Sequence, residues 1–182
     1  MSYPVVAVKF CTHLKGKKPS EITPDILRKC SGGGKMELCA ADAWDAMVAA
    51  AAVDGVVLKP TSLGDQFRSI DQQKAGFLQR YQKEPVTNSS TRTWNGVKWW
   101  LKKGFAPLAA PNDDPKTCSR HMLGLAVDVA NANGKILKWL LDNEDRFGFS
   151  HEVQSEPWHI RYVAGNNVPV AVVEFVGNKP QQ

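Results

Sequence analysis

The chain has 182 residues, 43% of them apolar, enough to bury a sizeable core in one domain. Its formal net charge of +5 favours an anionic partner, yet no basic run interleaved with aromatics marks a nucleic-acid groove. No stretch approaches the roughly 18 apolar residues of a membrane span, and the opening Met1 to Phe10 has no basic n-region, so neither a span nor a signal peptide is expected.

Residues 1–38 read as an N-terminal extension packed on the rest. Thr23-Pro24-Asp25 predicts a helix start, with Thr as cap and Pro at the first position, running to about Cys30. Gly32-Gly33-Gly34 then reads as a flexible joint. Ala40 to Asp54 is Ala-rich and free of Pro and Gly, which predicts a helix that Gly55 ends. Val56-Val57-Leu58 predicts a strand, leading through Pro60 to Gly64 into Asp65-Gln66-Phe67-Arg68-Ser69. Gln72 to Tyr81 predicts a second helix. Thr91 to Trp94 and Val97 to Leu101, joined by Asn95-Gly96, predict a hairpin with a type I′ turn. Trp94, Trp99 and Trp100 there read as sheet cover ahead of sugar-stacking platforms. Phe105 to Pro111 is a loop. Ile136 to Phe147 predicts an amphipathic helix with Ile136, Leu137, Leu140 and Leu141 inward, closed by Gly148. Val168 to Val176 reads as an edge strand or extension, and 177–182 as a polar tail.

The chemistry concentrates in two stretches, Cys118 to Val129 and Ser155 to Tyr162. They hold His121, Asp128, Glu156 and His159 at constrained spacings. Two imidazoles and one carboxylate suit a catalytic zinc, which keeps a position open for water. A carboxylate nearby that is not a ligand can take that water's proton. His121, Asp128 and His159 are therefore the candidate ligands, and Glu156 the candidate base. Leu125 to Val129 reads as a buried strand. His121 lies an odd number of positions before Asp128, so a regular strand would point the two apart; Gly124 permits a turn that brings them to one face. Pro157 breaks the strand between Glu156 and His159 in the same way. A lone buried His or Asp is more often structural than a ligand; two clusters together weigh against that. His151 reads as rim. None of Cys11, Cys30, Cys39 and Cys118 forms a C-x-x-C pair, so no zinc knuckle is expected and reduced, buried thiols are, with a Cys118 nucleophile the minor alternative.

Ser119-x-His121-x-x-Gly124-x-Ala126-x-Asp128, followed by Glu156-Pro157-Trp158-His159, resembles the signature of VanY-type zinc peptidases, the D-Ala-D-Ala carboxypeptidases and phage L-alanyl-D-glutamate endopeptidases that share the Hedgehog/DD-peptidase fold. The likeness covers roughly residues 40 to 165. It implies an α+β fold, a small, mainly antiparallel sheet with helices on one side, and Zn2+ on His121, Asp128 and His159 with Glu156 as base. Asp65 to Ser69 is similar to the family's Tyr-Arg-Ser segment with Phe67 in place of Tyr. The resemblance thereby implies that Arg68 meets a substrate carboxylate or developing oxyanion, a task suited to its planar fork of donors. Gln73, Ser119 and Trp158 are implied as further substrate contacts. The segment Pro111 to Cys118 is longer and more acidic than the family's short Pro-Gly-Thr/Ser stretch, which bears on substrate preference.

The expectation is a zinc metallopeptidase that cuts the stem peptide of bacterial peptidoglycan, as carboxypeptidase or endopeptidase. Without an export signal it is expected to be a phage wall hydrolase, held in the host cytoplasm until lysis or carried on the virion with other virion proteins. The alternative is a phage structural or binding module of the same fold without turnover.

Overall fold

The computed structural model describes Tyr3 and residues 5–178. Its spine is helix α1 (Leu38–Val53). The helix begins earlier than composition suggests because Glu37 caps it: its carboxylate accepts from the backbone N–H groups of Cys39 and Ala40. Ala40, Ala43, Trp44, Met47 and Ala51 are buried. The small alanines let neighbouring elements approach closely, and the core gathers around this helix.

Among the described residues there are three small sheets, every strand pair in them antiparallel. The first is the hairpin β1 (Leu27–Lys29) and β2 (Lys35–Glu37). The helix expected over Thr23 to Cys30 is one 3₁₀ turn, Pro24–Ile26, before β1 takes over. Arg28 pairs from β1 with Asp42 and Asp45 of α1, which holds the segment extended across the helix. The three glycines are a tight hairpin turn, not a loose joint: a Cβ on Gly32 would stand 2.3 Å from Pro60, and one on Gly34 would stand 2.2 Å from Gln66. Far from dangling, the N-terminal segment contributes Cys11, Leu14 and Ile26 to the core.

Helix α2 (Ile70–Arg80) opens on a capping box between Ser69 and Gln72. It runs into the second sheet, β3 (Tyr81–Gln82), β5 (Val97–Leu101) and β4 (Thr91–Trp94) in that spatial pairing. The Asn95-Gly96 turn has positive φ at both residues, as a type I′ hairpin requires. Trp94 and Trp99 pack edge-on to Phe77, which stacks on Tyr81. These tryptophans cover the sheet, as expected.

The third sheet has the order β6 (Ala126–Asp128), β8 (His159–Tyr162), β7 (Phe149–His151). Val56 to Leu58 is not a strand. Val56 and Leu58 are buried and Val57 is exposed, so the alternation is real. The chain meets β6 only beyond it, where Ala130 N–H donates to the Lys59 carbonyl and Thr61 N–H to the Asp128 carbonyl. Helix α3 (Gly134–Asn143) passes into a 3₁₀ turn that Gly148 closes in the left-handed conformation. The expected C-terminal edge strand or extension is instead helix α4 (Val170–Gly177), with Pro169 at its N-cap position and Val172 fully buried in the α1 core. Its valines suit a strand by propensity, and packing on α1 overrides that preference. The expected polar tail begins only where this helix ends; 179–182 lie outside the described residues. Among the described residues no helix is long and apolar enough to cross a membrane.

Candidate active site

β6 and β8 bring the first two candidate ligands together by register: Asp128 pairs directly with His159. His121 arrives from a 3₁₀ turn, Arg120–Leu123, that ends on Gly124 at φ +69°. This is the turn the odd spacing demanded. A Cβ on Gly124 would stand 2.7 Å from the Glu37 backbone nitrogen, so only glycine fits. One ligating atom each from His121, Asp128 and His159 lies within 4.8 Å of the other two. His121 Nε2 is 3.3 Å and His159 Nδ1 is 2.8 Å from the same Asp128 oxygen.

The far ring nitrogens are also held. His121 Nδ1 lies 2.9 Å from the Gln66 carbonyl, which fixes the ring with Nε2 inward. His159 Nε2 lies 3.1 Å from the Glu152 carboxylate, and Arg161 stands 3.4 Å from that carboxylate's other oxygen. A ligating His commonly donates its second N–H to a carbonyl or carboxylate, and both rings have such a partner. Burial disfavours charge on His159, but the carboxylates of Asp128 and Glu152 outweigh it and push the imidazole up to about 9. Burial likewise opposes ionisation of Asp128, and the two imidazoles overcome it, holding its carboxyl well below the usual range. The trio gathers one carboxylate and two imidazoles around one point, the composition a divalent cation binds once it displaces the imidazole protons.

A cleft of about 730 Å³ opens over these groups. Of the expected site residues, Arg68, Ser119, His121, Asp128, Glu156, Trp158 and His159 all line it. Glu156 is partly buried in the wall, and its carbonyl accepts from His159 N–H across the Pro157 turn. Arg68 is fixed twice: its backbone N–H donates to the His121 carbonyl and its Nε to the Gly64 carbonyl. Trp158 is 42% exposed, a broad apolar face at the rim.

Gln73 departs from expectation. It is fully buried and absent from the cleft lining; its amide donates to the Ala109 carbonyl, so it supports a wall from behind. His151 is not rim. It is fully buried between Glu144 and the Pro157 carbonyl and stacks on Tyr3. Cys118 lines the cleft, but burial pushes its thiol up to about 11, which leaves little thiolate for a nucleophile. Thr117 of the loop before it also lines the cleft, but the loop's aspartates are engaged elsewhere: Asp113 accepts from Ser20, and Asp114 from Lys116 and Cys118 N–H groups.

Sequence reading missed Glu152, the Gln66 carbonyl, and Arg80, Arg92 and Arg120, all of the last three lining the cleft. Glu152 had no local signal, since only the fold of 151–159 brings it to His159. The arginines come from α2, β4 and the His121 turn, far apart in sequence.

A family model described as VanY: D-alanyl-D-alanine carboxypeptidase matches residues 34–165. No curated protein gives a significant match. Among solved structures, the chain is similar to the LdcB LD-carboxypeptidase, a structure that reveals the molecular basis of peptidoglycan recognition. That match has 23% identity over 90% of this chain and 83% of that one, with a TM-score of 0.55. It is also similar to a mutant of the D,D-pentapeptidase VanY from a VanB-type vancomycin resistance cassette, in complex with Zn(II), at 21% identity over 82% and 88% and a TM-score of 0.47. A third structure, VanYB in complex with D-alanine-D-alanine, aligns at 20% identity over 85% and 89% with a TM-score of 0.46. The family model spans most of the chain, including every residue of the His121, Asp128 and His159 trio, and this protein belongs to the VanY family of D-alanyl-D-alanine carboxypeptidases.

Proposed function

We propose that the chain is a zinc peptidase that trims the stem peptide of peptidoglycan at a bond next to a D-residue. The observation that carries this reading is the convergence of His121, Asp128 and His159 beneath a cleft that also holds a carboxylate outside the trio and several arginines. The donors fit zinc in number and kind. His121 would bind through Nε2, His159 through Nδ1, and Asp128 through a carboxylate oxygen. When bound, zinc supplies Lewis acidity: it polarises a carbonyl and acidifies a water molecule.

The remaining work falls to side chains. Glu156 accepts the proton of the attacking water and returns it to the leaving amine. Arg68, already oriented by Gly64, presents its fork to the substrate's terminal carboxylate or to the developing oxyanion. Ser119 lies on the same wall and serves the same oxygens. Arg120, Arg92 and Arg80 add guanidinium groups to the lining, which suit the carboxylates of a peptide substrate. Trp158 offers a face to the substrate's apolar methyl groups. Glu152 orients His159 and touches no substrate in this scheme.

The carboxypeptidase reading is preferred over the endopeptidase one because the guanidinium groups around the cleft suit a free C-terminal carboxylate. We further propose a phage-type wall hydrolase, on the likeness of the two motifs to phage endopeptidases. Purified sacculi incubated with the protein, with and without chelator, decide the matter by mass spectrometry. Release of one D-alanine, abolished by chelator and restored by zinc, is expected. A longer released peptide means endopeptidase. No product under any metal condition leaves a binding module.

A further inference from the structure

A second cluster of ligating side chains lies outside the cleft. Cys11, His13, Glu37 and Cys39 each offer an atom within 4.8 Å of the other three. They come as two short pairs, Cys11-x-His13 on the N-terminal segment and Glu37-x-Cys39 at the junction of β2 and α1. Neither pair is a C-x-x-C motif, which is why spacing alone argued against a metal here. Only the fold brings the two pairs face to face.

From this geometry we infer that Cys11, His13, Glu37 and Cys39 form a second, structural metal site for a zinc-like divalent cation. Two sulfurs, one nitrogen and one oxygen are a closed tetrahedral donor set of the kind that leaves no position for water. Donors sharing one tetrahedral zinc stand roughly 3.3–3.8 Å apart, given bonds of about 2.0–2.3 Å. The cluster is therefore within a small closure of ligating distance. Two contacts are already at or below that spacing, one through each Glu37 oxygen: Cys11 Sγ to Glu37 Oε2 at 3.4 Å and His13 Nδ1 to Glu37 Oε1 at 2.7 Å.

The bland alternative is a helix cap beside one buried thiol, Cys11, and one half-buried thiol, Cys39. Glu37 does cap α1, but the cap uses one oxygen. Its carboxylate is fully buried, and among the described residues its ion-pair partner is His13, itself partly open to solvent. A buried carboxylate is normally paired or metal-bound. The open side of His13 gives an ion a way in. A metal here would staple the N-terminal segment, whose Val5, Val6 and Phe10 are exposed, to the start of α1. The staple would reach further, because Glu37 N–H donates to the Gly124 carbonyl at 2.9 Å, and Gly124 closes the turn that carries His121.

The catalytic trio contains no thiolate, so cobalt(II) distinguishes the two sites. Parent protein loaded with cobalt should bind two equivalents and show a thiolate-to-cobalt charge-transfer band in the near ultraviolet. His121→Ala should keep that band and lose one equivalent; Cys39→Ser should lose the band and one equivalent. His13→Ala, at a half-exposed position, tests the same site with less risk to folding and should also lose an equivalent. Cys39, the half-buried thiol of the pair, should resist iodoacetamide in the folded parent with zinc bound and be alkylated after chelation. A single equivalent without a thiolate band, or alkylation indifferent to zinc, overturns the site. So does an unreduced Cys11–Cys39 disulfide in the peptide map of the fresh protein. Loss of peptidase activity alone would bear on the cleft, not on this cluster.

Discussion

In the proposed mechanism the cleft carboxylates divide the work. Glu152 holds a ligand ring, while Glu156 stands in the wall with its carboxylate outside the trio. Glu156→Gln should therefore keep the fold and the zinc yet lose about 10²–10⁴ in turnover, the size of a general base contribution. Elemental analysis beside a D-alanine release assay checks it; loss of zinc in that variant would make Glu156 a ligand. His159 has a pH consequence in the metal-free protein. Its pKa is raised from 6.5 to about 9, so its ion pairs contribute stability that is complete below about 6.5 and lost as pH rises through about 9. Thermal melts of chelated protein should show Tm falling across that window. Glu152→Gln should flatten the fall and weaken zinc binding by about 10–100-fold, as removing a carboxylate behind a ligating His does. A Tm that rises over the same window would contradict the assigned pairing.

At the level of elements, the site depends on one turn. Gly124 closes the His121 turn in the left-handed region and lies against the Glu37 backbone. Gly124→Ala should cost about 1–2 kcal/mol for the left-handed conformation alone, and more from the contact with Glu37. The expected result is a lower Tm together with weaker zinc binding, because the turn cannot move without moving His121. Equilibrium dialysis against zinc checks the second half; unchanged affinity in a destabilised variant would mean that the turn and the ligand are independent. The motif showed that a glycine was needed here. It did not show that β2 would be the neighbour, because that approach depends on the hairpin of β1 and β2, which local propensity read as helix and joint.

For the whole molecule, the formal net charge is +5, and Arg68, Arg80, Arg92 and Arg120 line the cleft beside Asp65, Asp128, Glu152 and Glu156. Binding to sacculi should weaken as salt rises, since exposed charges are screened over about 10 Å at 0.1 M. A pull-down series from low salt to about 0.5 M tests this, and binding that does not change would make the charge incidental.

The sequence by itself determined that His121, Asp128 and His159 would meet as a candidate ligand trio, along with its glycine turn, the α1 helix and the type I′ hairpin. Each rests on neighbours in the chain: a spacing parity, a breaker between two site residues, an Asn-Gly pair, an Ala-rich run. Only the tertiary structure decided the rest. It turned the C-terminal valines into a helix by packing Val172 on α1, and it buried His151 and Gln73. It also brought Glu152 behind His159 and set Cys11 and His13 opposite Glu37 and Cys39. These are contacts between distant segments, and no local period or propensity encodes which segments will meet. The long-range burial of apolar surface chooses the partners.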